Sequence, residues 1–151
     1  MTRLIVLQHL KREGPGLFAN LAEERGFSVC TFRLDLGDSL PELRKDDLLL
    51  VLGGPMGIKD IGNSNFPWLF EEVDLIKQAL NQGVALIGVC LGAQLLAYAA
   101  GGDVEILKDQ VSQQPLAEIG WGNIYLQLLE NHSKLTSFLE NPFPVMHWHG
   151  D

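Results

Sequence analysis

Strand-length apolar runs alternate with stretches of helical period along this chain, and that alternation limits the fold more than any other feature. Hydrophobic runs bounded by turn residues, with amphipathic helices between them, are the pattern of a parallel sheet covered on both faces. Leu4 to Leu10, Ser28 to Leu34, Asp47 to Leu52 and Val84 to Val89 are predicted as strands. Gly16 to Arg25 reads as a helix with Leu17, Leu21 and Ala22 on one face and Glu23, Glu24 and Arg25 towards water. Pro67 to Leu80 is a second helix, with Leu69, Val73, Ile76 and Leu80 at helical spacing and Pro67 suited to a first turn. A third runs from about Gly92 to Ala100 and stops at Gly101-Gly102. Beyond it the pattern is less regular: Val104 to Leu107, Ile119 to Leu126 and Val145 to Trp148 look like strands, and Asn131 to Leu139 like a short helix. The predicted class is α/β, three layers around a mostly parallel central sheet.

A chain of 151 residues allows one domain, and no repeat, low-complexity tract or linker suggests a second. With 46% hydrophobic and 20% charged residues it sits among ordinary globular proteins. Nineteen acidic against eleven basic residues give −8, which opposes binding to phosphate backbones and anionic lipid, so neither nucleic acid nor membrane is an expected partner. Cys30 and Cys90 form neither a disulfide framework nor a zinc spacing, which fits a reducing, cytoplasmic setting. The apolar run Leu4 to Leu7 is too short for a signal peptide and is read as a strand. Gln78 to Gly102, the longest uncharged stretch, is punctuated by glycines and splits into strand, turn and helix rather than spanning a membrane.

The sharpest chemical signal is Gly88-Val89-Cys90-Leu91-Gly92, after a buried strand and before a helix. It has the form of a nucleophile elbow with cysteine in the serine position, where glycines two before and two after let the chain turn sharply. A thiol at the start of a helix meets partial positive charge, and backbone N–H groups there can hold an oxyanion. The competing reading is that Cys90 is a small buried hydrophobe. Gln94, one turn along the same helix, leans back towards Cys90 and could bond a polar substrate. A second cluster, Gly53-Gly54-Pro55-Met56-Gly57, closes a strand at the same end of the sheet, where ligands of open α/β folds bind.

Together these segments resemble the class I glutamine amidotransferase family, whose elbow reads G-x-C-x-G-x-Q and whose oxyanion loop is G-G-P. Gln8-His9 with Glu13-Gly14-Pro15-Gly16, Glu118-Ile119-Gly120-Trp121, and His147-Trp148-His149-Gly150-Asp151 resemble the branch related to the amidotransferase domain of guanosine monophosphate synthetase. The resemblance implies a flavodoxin-like fold in which cysteine attacks the side-chain amide of glutamine and releases ammonia through a γ-glutamyl thioester. It implies Cys90 as nucleophile, N–H groups of Gly54 and Leu91 as the oxyanion hole, and Gly53 and Gln94 against the substrate, with no cofactor. An ammonia-accepting synthetase is the implied partner.

Family members complete the triad with a histidine and a glutamate in an H-x-E motif beyond the H-G-D segment, and this sequence ends at that segment. The expectation is therefore a domain lacking its C-terminal third, with weak turnover and an apolar face shielded by homo-oligomerisation. On a strand His149 and Asp151 would share a face, which makes a substitute pair conceivable. The same alternation invites a metal reading of His147, His149 and Asp151, but three ligands ending on the last residue are thin support, and no metal site is assigned. Two alternatives stay open: a non-catalytic binding module that keeps the fold, with Cys90 a relic or redox-sensitive thiol, and a related hydrolase of γ-glutamyl compounds.

Overall fold

The structure, a computed structural model, describes residues 2–125 and 142–150. The chain divides into two compact units, Met1–Val104 and Glu105–Asp151. The first unit contains β1 (Arg3–Gln8), α1 (Leu17–Glu24), β2 (Ser28–Arg33), β3 (Leu48–Val51), α2 (Trp68–Gln82), β4 (Ala85–Gly88) and α3 (Leu91–Ala99). Its four strands form one sheet in the order β2-β1-β3-β4, every pair parallel. All four predicted strands and all three predicted helices of this half are present, with ends shifted by a few residues.

Period-2 alternation explains the layers. Ile5, Leu7, Leu49 and Val51 point to one face and pack with Leu69, Val73, Ile76 and Ala79 of α2 and with Leu91 and Leu95 of α3. Leu4, Val6 and Leu50 point to the other and pack with Ala22 of α1. The result is α2 and α3, then the sheet, then α1. β1 is central, so Leu4, Ile5, Val6 and Leu7 are buried on both sides, which is why that run reads as continuously apolar. Arg3 ties the start of β1 to the loop entering β3 through a two-pronged bond to Asp47, at 2.9 and 2.6 Å.

Two helical stripes are narrower than predicted. In α1 only Ala22 is buried, while Leu17 and Leu21 are 75% and 45% exposed, because a helix of eight residues lays one short row on the sheet. In α2 the stripe holds through Ile76 and Ala79, but Leu80 lies outside it.

The second unit contains β5 (Glu118–Ile124) and β6 (Phe143–His149), an antiparallel ribbon in a sheet of its own. The predicted strand over Val104 to Leu107 is absent; Leu107 instead shares backbone bonds with Leu116 and Gly150. The predicted helix over Asn131 to Leu139 lies outside the described residues. Among the described residues no helix is long and apolar enough to cross a membrane.

Candidate active site

The site is built where β4 turns into α3. Cys90 stands at the start of α3 with φ 52° and ψ −113°, a region that residues with a side chain seldom adopt. Such strain costs about 1–3 kcal/mol and persists only where the surroundings impose it. Here Val89 N–H is held by the Val51 carbonyl at 2.9 Å, and Gly92 N–H by the Val89 carbonyl at 2.9 Å. A Cβ on Gly88 would lie 2.5 Å from the Gly92 carbonyl oxygen, and one on Gly92 would run into the Val51 carbonyl of β3. Both glycines are therefore required by contact. The turn leaves Cys90 exposed, whereas Cys30 sits half-buried in β2.

The Gly-Gly-Pro loop follows β3 and lies against this turn. A Cβ on Gly53 would be 3.4 Å from Cys90 Cβ and 3.4 Å from Glu13 Oε2. One on Gly54 would be 3.1 Å from Leu91 Cδ2 and 3.2 Å from His9 Cβ. The structure thus brings Gly53, Gly54, Cys90 and Leu91 together, as the sequence predicts. Gln94 lies one turn along α3, half-buried, its backbone N–H on the Cys90 carbonyl at 3.1 Å. Leu91 opens the helix, where main-chain N–H groups point back along the axis towards the turn.

Three residues at this site carry no role in the sequence reading. His9 and Glu72 form a pair with both side chains wholly buried. His9 Nε2 lies 2.9 and 3.1 Å from the two Glu72 carboxylate oxygens, and its Nδ1 lies 3.0 Å from the Gly53 carbonyl oxygen. Both partners are acceptors, so the ring donates from both nitrogens as an imidazolium. Burial alone pulls the His9 pKa down, but the bond to Glu72, its charge and the Gly53 and Leu52 carbonyls outweigh burial and hold it above the ordinary value. With both nitrogens engaged, His9 fixes the Gly-Gly-Pro loop rather than acting on Cys90. The third is Glu13, which sets a partly exposed carboxylate beside Gly53.

The spacing Leu69, Glu72, Val73, Ile76 was the available signal for Glu72: a carboxylate on an apolar stripe needs a buried partner. His9 is the single histidine in the sequence of the first unit. In the second unit His149 Nε2 lies 3.4 Å from Glu118, a residue that no site assignment included. Asp151, the conceivable mate of His149, lies outside the described residues.

A family model described as glutamine amidotransferase class-I matches residues 17–151. The chain is similar to YfeJ of Salmonella typhimurium, named as a glutamine amidotransferase-like protein, with 31% identity over 99% of this chain and 60% of that one. It is 35% identical to the carbamoyl phosphate synthase small chain of Oceanobacillus iheyensis over 59% of this chain and 22% of that one. Among solved structures, a glutamine amidotransferase of Thermotoga maritima superposes with a TM-score of 0.80 at 25% identity, over 99% of this chain and 60% of that one. A glutamine amidotransferase of Methylobacillus flagellatus gives 0.77 at 32% identity, over 98% and 55%. The chain thus spans 60% of the Salmonella relative's length.

Proposed function

The chain belongs to the glutamine amidotransferase class-I family, and from that premise we propose that Cys90 attacks the side-chain amide of glutamine and releases ammonia through a γ-glutamyl thioester. The sulfur bonds to the amide carbon, and negative charge gathers on the amide oxygen, where the N–H groups of Gly54 and Leu91 receive it. As the carbon–nitrogen bond breaks, the nitrogen takes up the proton that the thiol gave and leaves as ammonia, and water then cleaves the thioester to glutamate and the free Cys90 thiol. Gly53 and Gln94 lie against the substrate. The Glu13 carboxylate receives its α-ammonium group. The observation that carries this reading is the strained Cys90 backbone, which keeps the thiol exposed beside the Gly-Gly-Pro loop.

The whole of residues 1–151, both units, acts as one amidotransferase domain, which the span of the family match supports. Relatives named as small chains of carbamoyl phosphate synthase support an ammonia-accepting synthetase as partner. The net charge of −8 supports a small-molecule substrate, glutamine or another γ-glutamyl compound, over nucleic acid or a membrane surface, and two free cysteines fit the cytoplasm.

Proton transfer is the weak step in the first unit, where the single histidine of the sequence, His9, is committed to Glu72 and Gly53. General acid–base help is typically worth about 10² to 10⁴ in rate. Glutamate release from glutamine, with Cys90→Ala as the blank, is expected to be slow and to depend on Cys90. Release that persists in Cys90→Ala would overturn the nucleophile. Fast release that disappears in His149→Ala would instead make His149 the base and defeat the slow-turnover reading.

A further inference from the structure

The ribbon of the second unit brings Glu118 of β5 to His147 and His149 of β6, which lie far from it in sequence. Register pairs Glu118 with His149 and Gly120 with His147, so Glu118, His147 and His149 share one face. His147 Nδ1 lies 3.1 Å from Glu118 Oε2, His149 Nε2 lies 3.4 Å from the same oxygen, and the two nitrogens are 3.5 Å apart. We propose that this triangle is a divalent-metal site, with zinc the fitting ion, that staples β5 to β6.

The geometry is the first argument. For a tetrahedral zinc ion with bonds of about 2.1 Å, neighbouring ligand atoms lie roughly 3.4 Å apart. The three observed separations bracket that value. The donor set is the second argument, since two imidazole nitrogens and a carboxylate oxygen suit zinc and leave a fourth position for water. Placement is the third. A Cβ on Gly122 would lie 3.0 Å from His147 Cδ2 and Nε2, so glycine there lets the imidazole lie across β5 while its other nitrogen faces Glu118. A two-stranded ribbon is marginal by itself, and a metal bridging its strands cross-links them. Alternation along β6 shows two of these ligands from sequence; the third comes from strand pairing.

The test uses the full chain stripped of metal by chelator and dialysed against Zn²⁺, with bound metal counted. One ion per chain is expected, together with a rise in Tm. Glu118→Gln, half-exposed and so without a folding penalty, should weaken binding by more than about 10-fold, as should His147→Gln and His149→Gln. Co²⁺ should give the visible bands of a tetrahedral nitrogen–oxygen site, unchanged in Cys90→Ser and Cys30→Ser. No retained metal, binding unaltered in Glu118→Gln, or a thiolate-to-metal absorption band would each overturn the proposal.

Discussion

Single side chains decide how the thiol is presented. The His9–Glu72 pair holds the Gly53 carbonyl, so loop position depends on an imidazolium sealed from solvent. Its folded pKa is raised above the unfolded value of about 6.5, so its contribution to stability is complete below that value and is lost as pH rises through the folded value. Denaturant titrations at a series of pH values should show stability falling on the alkaline side. Glu72→Gln should flatten that slope and cost about 1.5–3 kcal/mol at pH 6, the worth of a charged hydrogen bond. An unchanged slope in Glu72→Gln would remove the pair from the account. Glu13→Gln should raise by about 10-fold the concentration of an electrophilic glutamine analogue needed for half-maximal labelling of Cys90, with little change in the limiting rate. A fall in the limiting rate alone would deny Glu13 a binding role. Cys90 and the glycines were legible because the elbow is a local pattern. Glu72 was legible only as an oddity of spacing, since its partner lies 63 positions away.

Elements dock through glycine at this site. Gly92 puts the first turn of α3 directly on the β3 carbonyl of Val51, so Gly92→Ala forces helix and strand apart, and the loss should reach about 3 kcal/mol. Gly14 has only the Gln8 side chain near, at 3.8 Å, and Gly14→Ala should stay within about 1 kcal/mol of the parent. Thermal melts of the two variants measure the contrast, and equal melting temperatures would contradict the close docking of α3. Periodicity located the parallel sheet because its inner strands carry uninterrupted apolar runs, Leu4 to Leu7 in β1 and Leu48 to Val51 in β3. It failed at Val104 to Leu107, where Leu107 donates its N–H to the Gly150 carbonyl and accepts from the Leu116 N–H, bonds that belong to no strand ladder.

At the scale of the molecule, the boundary between the two units near Val104 was invisible in the sequence, because Gly101-Gly102 reads equally well as a helix stop. The ribbon of the second unit carries Ile119, Trp121, Met146 and Trp148 on the face opposite its histidines, each between 46% and 79% exposed. Such a face favours self-association, and a homo-oligomer is expected. Sedimentation velocity should show a dimer or larger species that Trp121→Lys dissociates; a monomeric parent chain would contradict this. Whether Cys90 is the nucleophile of a glutamine site is decided by labelling the folded chain with a chloroketone analogue of glutamine and mapping the adduct. One adduct per chain is expected, on Cys90, suppressed by excess glutamine and absent in Cys90→Ala, with Cys30 unlabelled. Labelling of Cys30 to the same extent, or labelling of Cys90 that glutamine leaves untouched, would contradict it.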